Sequence, residues 1–201
     1  MIVHPITKTL TRVTVSQGSN PYARTMKRTL IVFLMATLTT ASAANTLFEF
    51  NAQTNWFVRN DAVMGGISSS QFSISDGTLK FSGRIRLEND GGFAGIRSYP
   101  KPSNLSAFKG ITLRVRGDGK RYALQLLTSS ARRVTYRAIF ATTAGKWREV
   151  RVPFTAFRPT RSGNLLRGPA LDTSTIERFG LRVGNGRAEK FRCEVDWIRA
   201  Y

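Results

Sequence analysis

From Leu47 to Tyr201 the chain keeps no helical period; apolar and polar residues instead alternate at every second position, in one short run after another. A run of that kind exposes one face and buries the other only as a β-strand. The candidate strands are 46–51, 68–75, 78–85, 93–98, 110–117, 121–128, 133–141, 147–152, 177–183 and 191–199. Breakers fall where hairpins need them, at Ser75-Asp76-Gly77, Arg116-Gly117-Asp118-Gly119 and Thr143-Ala144-Gly145. So many short strands, joined by turn signals, specify an all-β sandwich or barrel, with helix confined to short turns near Pro102 to Phe108 and Asp172 to Arg178.

Alternation also assigns faces. Ile111, Leu113 and Val115 point one way, and Thr112, Arg114 and Arg116 the other. Val134, Tyr136, Ala138 and Phe140 oppose Arg133, Thr135 and Arg137 in the same manner. In the last strand Phe191, Cys193, Val195 and Trp197 share a face against Arg192, Glu194 and Asp196, which makes Cys193 a buried apolar residue. Trp147 and Trp197 read as core, as most aromatics in a sandwich do. If the arginine faces belong to one sheet, they form a basic platform for anions.

The segment ahead of these strands is of a different kind. Lys27-Arg28 follow Met26, an apolar run extends from Leu30 to Leu38, and small residues end at Ala43: the order of a cleavable secretory signal. The run is too short to span a bilayer, which needs about 20 residues. Met26 reads as the true start, with 1–44 an extension plus signal and 45–201 a single domain. Localisation is then periplasmic or secreted. The alternative is mitochondrial, because residues 1–44 are rich in Ser, Thr and basic residues and contain no acid.

Charge narrows the partners. The chain carries 31 Lys and Arg against 12 Asp and Glu, a net charge of +19; residues 45–201 keep 26 of the basic side chains and all 12 acids, net +14. A field of that sign favours acidic partners, whether glycans, lipid headgroups or protein surfaces. The single histidine, His4, precedes the expected cleavage site, which leaves the domain without His-dependent triads or His-ligated metals. One cysteine excludes a disulfide framework and a cysteine zinc site.

Two segments are dense in special residues: Asn55-Trp56-Phe57-Val58-Arg59-Asn60-Asp61-Ala62-Val63-Met64-Gly65-Gly66-Ile67-Ser68 and Leu87-Glu88-Asn89-Asp90-Gly91-Gly92-Phe93-Ala94-Gly95-Ile96-Arg97. Each glycine pair requires positive φ or close backbone approach. Neither is a phosphate loop, since no Lys-Ser/Thr and no helix follows. The pattern W-x(3)-N-D-x-V-M-G-G-x-S, then Phe81 to Gly83, L-E-N-D-G-G-F with Arg97, Gly110 to Tyr122, Trp147 leading to Val152-Pro153-Phe154, and the closing Phe191 to Tyr201 resembles the complex I intermediate-associated protein 30 family across residues 47 to 201. The resemblance implies a galactose-binding-like jelly-roll β-sandwich and a non-enzymatic role, its mitochondrial members being assembly chaperones for respiratory complex I. Residues 184–190 and Cys193 depart from its pattern.

The expected activity is therefore binding, not catalysis, of a protein partner through jelly-roll loops, or alternatively of an acidic glycan. No cofactor, metal or nucleic acid is expected, and no membrane-spanning segment in the domain. The binding positions are Trp56, Asn60, Asp61, Met64, Gly65, Gly66, Ser68, Asn89, Asp90, Gly91, Gly92, Phe93, Arg97 and Asp118. Among the acids Asp61, Glu88, Asp90, Asp118 and Asp196, a pair could serve as general acid and base, or turn carboxylates could hold a structural calcium, but acids in turns usually cap backbone groups. Trp56, Phe93, Tyr99 and Tyr122 are candidates for stacking on a sugar. Arg97 is expected to clamp Asp61 or Asp90, with an anionic ligand as the other reading.

Overall fold

In a computed structural model, residues 45–201 other than Ala52 are described, so the expectations on the amino-terminal extension and signal fall outside the described residues. Thirteen strands run β1 (Asn45–Glu49), β2 (Trp56–Val58), β3 (Ser69–Ser75), β4 (Thr78–Arg84), β5 (Ala94–Ser98), β6 (Gly110–Gly117), β7 (Arg121–Thr128), β8 (Thr135–Ala141), β9 (Trp147–Pro153), β10 (Arg158–Arg161), β11 (Asn164–Leu165), β12 (Ile176–Val183) and β13 (Lys190–Ala200). They form two sheets, β3-β4-β13-β6-β9 with β1 also on β13, and β11-β10-β8-β7-β12-β5-β2, and every strand pair is antiparallel. This is a jelly-roll β-sandwich. Among the described residues the helices are three one-turn 3-10 segments, Asp61–Met64, Phe154–Ala156 and Thr173–Thr175, and none is long and apolar enough to cross a membrane.

The inward phase of each strand fills the space between the sheets, as the alternation requires. Leu79 and Phe81 of β4, Ile111 and Leu113 of β6, Leu124 and Leu126 of β7, Phe179 and Leu181 of β12 and Cys193 and Val195 of β13 are all fully buried. Trp56, expected at the binding surface, lies in this core at 5% exposure against Phe48 and Phe50. Tyr122 is also buried and donates its hydroxyl to Asp118 Oδ1, so it offers no ring to a sugar.

Two expectations need correction, and one condition is not met. Trp197 leaves the core face because the register of β13 against β6 shifts between Val195 and Trp197, a bulge that turns Ile198 and Ala200 inward in its place. Trp147 shares the phase of Glu149 and Arg151, opposite to the core residue Val152, and so faces outward across from Arg116. The arginine-bearing strands do not share a sheet: β6 and β13 belong to the first and β8 to the second.

That division has an electrostatic consequence. On the six-stranded sheet Glu194, buried despite its outward phase, accepts hydrogen bonds from both Arg116 and Arg192, while Asp196 pairs with Arg114 at 2.6 Å and Glu49 with Arg199 at 3.7 Å. Trp147 lies under Arg116 and Arg114, and Trp197 under Arg199. Each of these three acids is thus paired with arginine of its own sheet.

Candidate functional site

The densest sequence motif folds into one rigid turn. After β2, Asn60 places its Oδ1 to accept from Gly95 N at 3.2 Å and from Ser70 Oγ at 2.7 Å, which ties the turn to β5 and β3. Asp61 is wholly buried; its Oδ1 accepts from Ser68 N at 3.0 Å, and its Oδ2 from Gly92 N at 2.8 Å and Phe93 N at 3.1 Å. Burial pushes the Asp61 carboxyl up, but the hydrogen bonds from Ser68, Gly92 and Phe93 outweigh it and hold the group below the ordinary aspartate value. Gly65, at φ +92°, ends the 3-10 turn, and Gly66 leaves no room for a side chain: a Cβ there would stand 2.5 Å from Asp61 Cγ. Gly91 is pressed equally hard, with a Cβ site 2.8 Å from the Arg86 and Glu88 carbonyls.

The two glycine motifs are thus halves of one staple, with Asp61 as its pin. Ser68 Oγ closes it, donating to the Arg86 carbonyl and accepting from Arg86 N. Asn89 and Asp90 make the left-handed bend, at φ +56° and +57°, that brings Gly92 round to Asp61. Of the other weighed acids, Glu88 is paired with Arg86, Asp196 with Arg114, and Asp118 accepts from Lys120, Tyr122 and Arg192 N, in a separate network away from the staple. Among the described residues no three acidic, histidine or cysteine side chains converge as metal ligands would.

What the staple holds up is the rim of a cleft. Val63 and Met64, about half exposed, lie on one side of a cavity of about 380 Å³ on the outer face of the seven-stranded sheet, and Ser162 and Gly163 of the β10–β11 turn lie on the other. Its floor carries Arg97, Gln125, Thr135 and Arg182, with Arg59 and Phe93 at the side. Arg97 does not clamp Asp61 or Asp90: it projects from the outward phase of β5, and among the described residues neither it nor Arg182 has an ion pair. The Nε of each is buried without a hydrogen-bond partner. Burial, with Arg59 and Arg178 close by, pulls the Arg97 pKa down; burial and Arg137 bring Arg182 down to about 10, against a small opposing pull from Asp61.

The expected binding residues therefore separate by role. Asn60, Asp61, Gly65, Gly66, Ser68, Asn89, Asp90, Gly91 and Gly92 build the rim, Met64, Phe93 and Arg97 line the cleft, and Trp56 and Asp118 do neither. Arg182, Gln125, Thr135 and Arg59 were not anticipated. The triplet Gly-x-Arg occurs at Gly95-Ile96-Arg97, Gly119-Lys120-Arg121 and Gly180-Leu181-Arg182, and only the strand pairing selects Arg182, since the first and last pair antiparallel with each arginine opposite the other's glycine. A larger, shallower hollow of about 710 Å³ on the other sheet, lined by Ser69, Gln71, Arg84, Lys190 and Arg192, contains the paired Asp118 and Lys120.

Solved structures share the fold. The family 11 carbohydrate-binding module of the cellulosomal cellulase Lic26A-Cel5E of Clostridium thermocellum superposes with a TM-score of 0.58 at 16% identity, covering 80% of this chain and 95% of that one. A solution structure of CtCBM11 gives 0.59, 16%, 81% and 97%, and the agarase AgWH50C 0.55, 12%, 79% and 24%. No curated protein sequence matches significantly. The sequence profile of the family described as complex I intermediate-associated protein 30 matches residues 47–195.

Proposed function

The chain belongs to the complex I intermediate-associated protein 30 family, and from that premise we propose that it is a non-enzymatic binding module that holds a protein partner at the stapled rim, as an assembly factor would. One observation carries this reading: the buried Asp61 network fixes a turn that holds two large apolar side chains, Val63 and Met64, out at the mouth of a cleft. A rigid support under exposed apolar groups lowers the ordering cost of docking. Four of the five weighed carboxylates are consistent with binding, since Asp61, Glu88, Asp118 and Asp196 are each committed to a backbone amide or a cation. Its site of action is proposed to be the periplasm or the exterior, after removal of the segment that ends at Ala43, with the mitochondrion as the alternative.

The test is a pull-down from envelope and cytosolic fractions with the chain as bait, eluted by a salt gradient. A stoichiometric protein partner that survives moderate salt and is lost with Met64→Asp supports the reading; unchanged capture by Met64→Asp removes the rim from it. A second reading, an acidic glycan as ligand, is favoured by the unpaired arginines of the cleft floor. Carbohydrate-binding modules of low identity share the fold, which by itself assigns no ligand.

A further inference from the structure

Arg97 and Arg182 both line the cleft floor from adjacent strands, and among the described residues neither has an ion pair. In the register Gly95↔Arg182, Ile96↔Leu181, Arg97↔Gly180, each arginine projects from the outer face next to a residue with no side chain. The two are diagonal neighbours on adjacent strands, a placement that brings side chains within about 7–8 Å at the backbone. Over Gly180 the space is taken by Gln125, whose Oε1 stands 3.2 Å from the glycine's Cβ position, so the amide lies on the same floor as the two arginines. The Arg182 guanidinium carbon sits 4.0 Å from the Phe93 ring centroid, and its Nη2 reaches toward Gly163 on the far rim.

Among the described residues no ion pair repays this arrangement, and only the weak pull of Asp61 on Arg182 opposes it. Like charges in a partly desolvated site repel more strongly than in water; Arg59 and Arg178 act on Arg97 in this way, and Arg137 on Arg182. Acids are available elsewhere in the molecule and are spent there: Glu194 alone serves two arginines on the opposite sheet. The cleft also keeps unspent neutral groups, since the side chains of Gln125, Thr135 and Ser162 make no hydrogen bond to any described residue.

We infer that Arg97 and Arg182 form a two-guanidinium cradle for the carboxylate or sulfate groups of an acidic glycan, with Gln125, Thr135 and Ser162 supplying donors and acceptors to its hydroxyls. The inference rests on the second reading above and gives it residues. Two fixed guanidinium forks match oxyanions in geometry as well as charge. Arginine only donates, whereas amide and hydroxyl side chains both donate and accept, which is what a sugar hydroxyl requires. An acidic peptide is less well served: an extended peptide gains affinity by pairing its backbone with a sheet edge, and here every strand under the cleft already has both neighbours, β5 lying between β12 and β2 and β12 between β7 and β5.

The experiment is calorimetric titration and thermal melting of the full chain with a hexagalacturonate, a neutral hexasaccharide of equal length, poly-glutamate and sodium sulfate, for the unaltered protein and for Arg97→Gln, Arg182→Gln and Arg114→Gln. The expected result is binding of the uronate and not the neutral oligomer, competition by sulfate, and at least a tenfold loss in Arg97→Gln and Arg182→Gln but not in Arg114→Gln. Without ligand, the two cleft variants should melt no lower than the parent, because each removes a desolvated charge that neighbouring arginines repel, Arg59 and Arg178 for Arg97 and Arg137 for Arg182; a residue needed only for folding would do the reverse. If either variant misfolds, Arg97→Lys and Arg182→Lys keep the charge without the fork and should still weaken uronate binding tenfold. Equal binding of the neutral oligomer, or full uronate affinity in the cleft variants, overturns the cradle. Poly-glutamate or sulfate binding without uronate binding overturns the glycan assignment. Protein docking at the rim is read separately by Met64→Asp, so either proposal can fail alone.

Discussion

Asp61 shows how a single side chain can decide the shape of a surface it never reaches. Its two oxygens terminate three backbone N–H groups from two distant segments, and those groups have no other partner near them. Replacing a carboxylate by an amide of the same shape removes the charge and turns one acceptor into a donor aimed at donors. Asp61→Asn should therefore cost about 3 kcal/mol, read as a lower urea midpoint with unchanged slope. Gly66→Ala should cost a comparable amount, about 2–3 kcal/mol, because the new methyl meets the pinned carboxyl, which cannot move without breaking those bonds. If either variant retains its midpoint, the staple is not what holds the rim.

Among the elements, most of the strand set was legible because the alternation that buries one face also writes the strand into the sequence; β6 and β7 begin and end where the pattern puts them. Strands β2, β10 and β11, at three, four and two residues, are too short to show a period and appear only through pairing, β2 with β5, β10 with β8 and β11 with β10. The bulge in β13 was illegible for another reason: one inserted residue reverses the faces after it without changing composition, and so Trp197 left the core. Of the site, the rim was legible as glycines and turn acids, while the cleft floor depends on which strands become neighbours. The tryptophans give a test at this scale. Trp56→Ala should cost about 3–5 kcal/mol as a core deletion, whereas Trp147→Ala, which loses a half-exposed ring beneath Arg114 and Arg116, should cost about 1 kcal/mol. Chemical denaturation of the two variants separates them, and similar costs would contradict the assigned phase of β9.

For the whole molecule, the distribution of charge matters more than its sum. Glu49, Glu194 and Asp196 of the six-stranded sheet are paired with that sheet's own arginines, whereas among the described residues Arg97 and Arg182 of the cleft have no ion pair. The same partition fixes the response to pH. Burial pushes Asp61, Asp118 and Glu194 up, but for each the hydrogen bonds and cations around it prevail and leave the carboxyl below its ordinary value. A carboxylate depressed in the folded state contributes stability that is fully present above its unfolded pKa, about 3.9 for Asp and 4.3 for Glu, and that is lost as pH falls through the lower folded value. The described residues contain no histidine, and burial drives the Cys193 thiol and the Tyr122 hydroxyl upward, away from neutrality. Stability should then be nearly flat from about pH 5 to 8 and fall steeply below about pH 4. Unfolding midpoints in urea across that range check it, and Asp61→Asn should flatten the acid limb while lowering the plateau. A transition between pH 6 and 7 would instead require a group titrating outside these three carboxylates.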